Sequence, residues 1–66
     1  MTLNQLKYAI VVSESESFNI AAKKLYISQP SLSTSIHALE EEVGIQIFRR
    51  SQNGIAVTPD GKEFLG

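Results

Sequence analysis

Uncharged polar side chains cluster over positions 28–37 of this chain, where serines, a threonine, a glutamine and a histidine occur with no acidic residue. Hydroxyl and amide groups both donate and accept hydrogen bonds, so this set suits recognition of a polar surface rather than covalent chemistry. Helical spacing brings most of them to one face, opposite the apolar residues Leu32, Ile36 and Leu39. That polar face comprises Gln29, Pro30, Ser33, Thr34 and His37.

The residues needed for catalysis or metal binding are missing from the sequence. It contains no cysteine and one histidine, His37, which has neither a paired carboxylate nor a nucleophile beside it in any recognisable motif. We therefore expect no enzyme, no metal and no cofactor. No stretch approaches about 18 consecutive apolar residues, so we expect no membrane span and a cytoplasmic location.

Charge is segregated along the chain, although the net charge is only −1. No acidic residue occurs over positions 17–39 or 43–59, and these stretches hold Lys23, Lys24, Arg49 and Arg50. Acidic charge is concentrated in Glu40-Glu41-Glu42, which we interpret as a solvated face at the far end of the third helix. Such segregation is compatible with a polyanionic partner, because local charge decides contact more than the summed charge does.

Three helices are predicted before position 45. Leu3, Leu6 and Ile10 predict an apolar face on a first helix over about residues 2–14, widened by Tyr8, Val11 and Val12. A second helix is expected over residues 18–25, capped by Ser17 or Asn19. The third begins at the cap Ser28 with Pro30 in its first turn, and it ends at Gly44.

A two-stranded hairpin and a fourth helix start are predicted next. Residues 47–50 and 55–57 have strand character, and Asn53-Gly54 favours a tight type I′ turn between them. Arg49 and Arg50 are adjacent in the first strand and so point to opposite faces. Thr58 and Pro59 form a helix start, as cap and first helical residue.

The fold class that follows is mostly α: a winged helix-turn-helix of three helices plus a two-stranded β-hairpin wing, with the start of a fourth helix. In this geometry the third helix enters the DNA major groove by its N-terminal end, and the wing contacts the backbone or minor groove. Glutamine can read an adenine edge, and the Thr34 methyl can touch a thymine methyl. Candidate DNA contacts are Ser28, Gln29, Pro30, Ser31, Ser33, Thr34, His37, Arg49, Arg50 and Asn53.

The sequence resembles the N-terminal DNA-binding domain of the LysR-type bacterial transcriptional regulators. The resemblance rests on Ser17-Phe18, Ala21-Ala22 and Ser28-Gln29-Pro30-Ser31-Leu32-Ser33, with further matches along the chain at Leu3, Leu6, Leu25, Ile36, Leu39-Glu40, Gly44, Phe48, Arg50, Thr58 and Gly61. It implies that Gln29, Pro30, Ser31 and Ser33 form the docking end of the recognition helix and that Arg50 is the wing arginine. Thr34 and His37 stand where many members carry arginine, which implies fewer phosphate contacts and a shallower salt dependence.

The resemblance also implies an organisation beyond one domain. Residues 1–58 correspond to the winged helix-turn-helix, and residues 59–66 to the start of a linker helix through which the family forms dimers. A larger C-terminal domain, absent from this chain, senses a small-molecule coinducer. The expected partners are therefore double-stranded DNA and a second copy of the regulator.

Two functions other than DNA binding are compatible with a small helical domain of this kind. A winged helix used for protein association should show an apolar patch on its third helix, and the polar residues there, Gln29, Ser33, Thr34 and His37, argue against it. An enzyme is disfavoured because the sequence shows no nucleophile–base pair, phosphate-binding glycine loop or metal cluster.

Overall fold

Four helices and a β-hairpin make up the computed structural model, which describes residues 2–51 and 54–66. The two strands of the hairpin are antiparallel, with Phe48 opposite Val57 and Ser51 opposite Gly54. The predicted winged helix-turn-helix is confirmed, while Asn53 of the predicted turn lies outside the described residues. The elements are α1 (Leu3–Ser13), α2 (Phe18–Leu25), α3 (Gln29–Val43), β1 (Phe48–Ser51), β2 (Gly54–Val57) and α4 (Pro59–Leu65).

Each helix begins at a hydroxyl side chain that accepts a hydrogen bond from a backbone N–H of its first turn. Thr2, Ser17, Ser28 and Thr58 are these caps. Of the two cap candidates for α2, the structure uses Ser17, which accepts from the Ile20 N–H at 3.2 Å. The caps satisfy amide groups that the helix itself leaves unpaired, so they fix where each helix starts.

The core lies where α1, α2 and α3 meet the start of β1. Leu32, Ile36 and Leu39 supply the buried stripe of α3, as predicted. Small residues of the other helices, Ala9 of α1 and Ala21 and Ala22 of α2, are buried against it and allow the helices to approach closely.

The predicted apolar face of α1 is wrong at two of its three defining positions. Leu3 is 85% exposed and Ile10 is 47% exposed, whereas Ala9 and Val12 are fully buried. Apolar residues lie on several sides of α1, so periodicity did not distinguish between them. Packing selects the side with the small Ala9, because the other helices come closest there.

Glu40 is also placed differently from the prediction that residues 40–42 are simply solvated. Its side chain is half-buried, and its Oε2 accepts hydrogen bonds from the backbone N–H groups of Ile47 (2.7 Å) and Phe48 (3.0 Å). The carboxylate therefore ties the last turns of α3 to the start of β1. Glu41 and Glu42 are exposed.

The other side of Ile47 is bound to the start of α4. The backbone N–H of Thr58 donates to the Ile47 carbonyl at 2.9 Å, and the Thr58 hydroxyl donates to the Gln46 carbonyl. Gly61 is buried so close to Ile47 that a Cβ there would lie 2.4 Å from the Ile47 carbonyl oxygen. We call Glu40, Ile47, Phe48, Thr58 and Gly61 the anchor cluster, because they join α3, β1 and α4.

Candidate nucleic-acid interface

The first turns of α3 present their polar side chains outward. Ser28, Pro30, Ser31, Thr34 and His37 are exposed, and Gln29 and Ser33 are half-buried. With Arg50 of β1 they form what we call the reading surface. These exposures agree with the prediction that this stretch points to solvent. Its two half-buried members, Gln29 and Ser33, are hydrogen-bonded to each other.

The cap residue Ser28 is hydrogen-bonded twice to Ser31 at the beginning of α3. The Ser28 Oγ accepts from the Ser31 N–H at 3.2 Å and donates to the Ser31 Oγ at 2.8 Å. A hydroxyl has one proton, and Ser28 uses it in this bond. The Ser31 hydroxyl acts as an acceptor here, so its own proton stays available to a group outside the domain.

Gln29, Ser33 and Arg50 form a second network, which connects α3 to the wing. The Gln29 Nε2 donates to the Ser33 Oγ at 2.8 Å, and the Arg50 Nη2 donates to the same oxygen. Both lone pairs of the Ser33 hydroxyl are therefore occupied, and the group can act toward a ligand only as a donor.

An aromatic ring holds Arg50 in this position. Its guanidinium carbon lies 4.1 Å from the ring centroid of Phe18, within the range of a cation–π contact. Phe18 in turn packs edge-on against Phe48, with centroids 6.0 Å apart and an interplanar angle of 79°. Sequence reasoning identified Arg50 but missed Phe18 as its support, since the contact is formed between residues far apart in the chain.

The wing brings only one of the two predicted arginines to α3. The Arg49 side chain is exposed and, within residues 2–51 and 54–66, makes no hydrogen bond or ring contact. It pairs across the hairpin with Ala56, whereas Arg50 pairs with Ile55. The wing itself lies against the α1–α2 turn. The approach is so close that a Cβ on Gly54 would be 2.4 Å from the Glu16 carbonyl oxygen. Asn53 falls outside the described residues.

The far edge of the reading surface holds a threonine and a histidine. The Thr34 hydroxyl donates to the Pro30 carbonyl at 2.9 Å, which leaves its methyl group for an apolar contact. The His37 Nε2 lies 3.2 Å from the Glu41 Oε1, and both side chains are 72% exposed. An open groove runs between α3 and β1, with Ser33, Thr34, His37 and Arg50 in its lining.

The described part of the chain shows no group of three or more histidine, cysteine, aspartate or glutamate side chains placed to hold a metal ion. None of the helices in that part of the chain combines the length and the hydropathy that a membrane-spanning helix requires. The polar side chains gathered at the start of α3 can form hydrogen bonds with a ligand, and the open, acid-poor geometry suits a large polar ligand better than an enclosed small molecule.

Comparison with known proteins places the chain among bacterial regulators. The family described as "Bacterial regulatory helix-turn-helix protein, lysR family" matches residues 3–62. The HTH-type transcriptional regulator TfdT of Cupriavidus pinatubonensis is 43% identical over 98% of this chain and 28% of its own length. The regulator BenM of Acinetobacter baylyi is 47% identical over 97% of this chain and 21% of its own length. The chain thus spans about a fifth to somewhat more than a quarter of these two relatives.

Solved structures show the same arrangement. The CbnR DNA-binding domain in complex with DNA superposes with a TM-score of 0.94 at 42% identity, covering 98% of this chain and 75% of that one. The BenM DNA-binding domain bound to catB site 1 DNA gives a TM-score of 0.92 at 46% identity, covering 98% and 70%. Identities above 40% together with this overlap show common descent as well as a common fold.

Proposed function

The chain belongs to the LysR family of bacterial regulatory helix-turn-helix proteins, and we propose that it binds operator DNA through the reading surface, with the start of α3 in the major groove and the wing beside it. As a domain of this family, it is the DNA-binding part of a transcription regulator. The relatives are named as transcriptional regulators, which supports a role without catalysis. The observation that carries the proposal is the Gln29–Ser33–Arg50 network on an exposed helix start that has no carboxylate.

Electrostatics favours docking by this end of α3. The backbone N–H groups of a first helical turn carry partial positive charge, which attracts phosphates. No acidic residue occurs between Ser17 and Leu39, so no carboxylate on the first turns opposes that attraction. The first acidic residue of α3 is Glu40, and its carboxylate accepts hydrogen bonds from the backbone N–H groups of Ile47 and Phe48.

Gln29 is preoriented to read a base edge. One of its two amide protons is bonded to Ser33, which restrains the plane of the amide. The remaining N–H and the Oε1 form the donor–acceptor pair that matches the N7 and N6 of adenine. We therefore assign adenine as the preferred partner of Gln29.

Ser31 and Ser33 act as donors in this proposal. Each already accepts a hydrogen bond within the domain, so each turns a proton toward the DNA. Suitable acceptors are phosphate oxygens, guanine O6 and N7, and thymine O4. Thr34 adds its methyl group for a thymine methyl, and Pro30 supplies apolar contact. We assign His37 to phosphate contact, and Ser28, whose hydroxyl proton is bonded to Ser31, to phosphate contact through its backbone N–H.

The wing supplies positive charge for contacts that do not depend on the DNA sequence. Arg50 keeps further guanidinium protons after bonding Ser33, and Arg49 is exposed beside it. We assign both to phosphate or minor-groove contact, and Asn53 to the same role by its position in the sequence. Each arginine that neutralises a phosphate releases counterions and steepens the dependence of affinity on salt.

The proposal extends to the whole regulator. Residues 1–58 act as the DNA-binding unit, and residues 59–66 begin a linker helix that holds two copies together for two half-sites. A coinducer-sensing domain beyond this chain responds to a small molecule, and the regulator works in the cytoplasm, where bacterial DNA is found. The anchor cluster supports this arrangement, because it fixes the direction in which α4 leaves the domain.

Selection of bound duplexes from a random pool, with the full-length regulator, tests this function. We expect a motif with two spaced arms related by two-fold symmetry and an adenine in each arm at the Gln29 position. Selection with the Gln29→Ala variant should lose that adenine preference and keep the spacing. Recovery of random sequences by the unaltered regulator would contradict sequence-specific binding.

A further inference from the structure

Tyr26 directly follows the last residue of α2 and lies in the turn that leads into α3. Its side chain is 95% exposed, more than Leu3 at 85% or any other large apolar side chain in the described residues. Its backbone is left-handed, with φ 58° and ψ 39°. Over residues 2–51 and 54–66 it is the one residue other than glycine with positive φ.

The backbone of Tyr26, rather than its exposure, requires an explanation. A singly exposed apolar side chain is ordinary on a protein surface. A bulky residue in the left-handed region is strained, and helix ends of this type are usually glycine or sometimes asparagine. The turn itself needs the conformation, since a left-handed residue here lets the N–H of Ile27 bond back to the Ala22 carbonyl at 3.1 Å. Its exposed ring adds almost no packing, so tyrosine is a poor choice for stability at this position.

The position of Tyr26 relative to α3 suggests why a tyrosine is there. It precedes the cap Ser28 by two residues, so the two Cα atoms are at most about 7 Å apart. The major groove is about 12 Å wide. If the start of α3 lies in the groove, a residue this close to it reaches the sugar–phosphate backbone at the groove's edge. Lys23 and Lys24 are exposed in the preceding turn, so the local charge favours phosphate.

We infer that Tyr26 is a contact to the DNA backbone: its hydroxyl donates to a phosphate oxygen and its ring packs on the adjoining sugar. This inference rests on the proposed function. Backbone contacts fix the register of a recognition helix without reading sequence. Because tyrosine is neutral, its contact releases no counterion and leaves the salt dependence unchanged.

Two substitutions in the 66-residue chain test this role. Tyr26→Phe removes only the hydroxyl, and Tyr26→Asn also relieves the backbone strain. Affinity is measured for a duplex from the selection and for a scrambled duplex, at several salt concentrations, together with the midpoint of thermal unfolding. Tyr8→Phe is the matched control, because it removes a hydroxyl from a half-buried tyrosine of α1.

Tyr26→Phe should weaken binding about three- to tenfold on both duplexes, as expected for one hydrogen bond, with an unchanged salt slope. Tyr26→Asn should weaken binding at least as much while its unfolding midpoint stays the same or rises. Tyr8→Phe should bind as the unaltered chain does.

Three results would overturn the inference. Unchanged affinity of both Tyr26 variants would show that Tyr26 does not contact DNA and would assign its exposed ring to contact with another protein. A loss confined to the selected duplex would make Tyr26 a base contact, and a lower unfolding midpoint in Tyr26→Asn would make it a structural residue. Failure of the unaltered chain to bind any duplex would remove the proposed function and this inference together, whereas normal binding by indifferent variants would remove the inference alone.

Discussion

The two ends of α3 carry hydrogen-bond networks of different kinds. At the reading surface the bonds are exposed or half-buried, and apart from Arg50 they join residues three or four apart. In the anchor cluster the side-chain bonds of Glu40 and Thr58 to residues 46–48 join residues seven to twelve apart and are half-buried or buried. Networks of the first kind leave donors free for a ligand, while those of the second kind use their groups up in holding the fold.

This difference predicts that substitutions at the two ends have separate effects. Changes in the anchor cluster should lower the free energy of unfolding and leave the affinity of folded molecules for DNA alone. Changes in the reading surface should weaken the affinity for DNA and leave the free energy of unfolding nearly unchanged. Arg50 belongs to the reading surface but lies on the β1 strand, so it is the residue at which the separation is hardest to maintain.

Glu40→Ala should have the largest effect on stability. It leaves the backbone N–H groups of Ile47 and Phe48 without their charged acceptor, which should lower the unfolding free energy by about 2–3 kcal/mol in chemical denaturation. Glu41→Ala is the matched control, because Glu41 is exposed and pairs only with His37 among the contacts of the described chain. Equal effects of the two variants would show that the Glu40 bonds contribute little.

Gly61→Ala should lower the unfolding free energy by about 1–3 kcal/mol, since the added methyl meets the Ile47 carbonyl. Helix propensity alone predicts the opposite sign, because alanine is a better helix former than glycine. A measured increase in stability would therefore mean that α4 can move away from β1 at little cost.

Gln29→Ala and Ser33→Ala should weaken specific DNA binding by about 1–3 kcal/mol each, as measured by titration of a selected duplex. Both should change the unfolding free energy by no more than about 0.5 kcal/mol, because the bonds that they lose are exposed or half-buried. The double variant should lose less affinity than the sum of the two single losses, since each residue orients the other. Strict additivity would mean that the two side chains act independently.

Arg50→Ala should give a smaller, sequence-independent loss. Binding to selected and scrambled duplexes should weaken alike, and the slope of log affinity against log salt should decrease by about one unit. Arg50→Lys should keep the slope but lose the fixed geometry over Phe18, because lysine lacks the planar guanidinium. A loss restricted to the selected duplex would instead assign Arg50 to base recognition.

Much of the fold could be predicted because its signals are local. Ser17, Ser28 and Thr58 cap helices where the sequence placed helix starts, and the stripe Leu32, Ile36, Leu39 is buried as its spacing indicates. The face of α1 could not be predicted in the same way. Its apolar residues surround the helix, so burial of Ala9 instead of Leu3 depends on how the other helices pack.

The candidate site was predictable as a set of side chains but not as a network. Residue type and helical spacing identify Gln29 and Ser33 as polar groups on one face of α3, and the resemblance to the LysR family identifies Arg50 as the wing arginine. That Arg50 and Gln29 share one hydroxyl, over the ring of Phe18, depends on where the wing returns to α3. The role of Glu40 was missed for the same reason, since its partners are seven and eight residues further along the chain.

The most direct test of the reading surface is an NMR titration of the isotopically labelled 66-residue chain with a selected duplex. The predicted result is that amide and side-chain signals of Gln29, Ser31, Ser33 and Arg50 shift, while those of Glu40, Ile47 and Gly61 stay in place. Shifts concentrated in α1 or in the anchor cluster, with the start of α3 unchanged, would contradict the account.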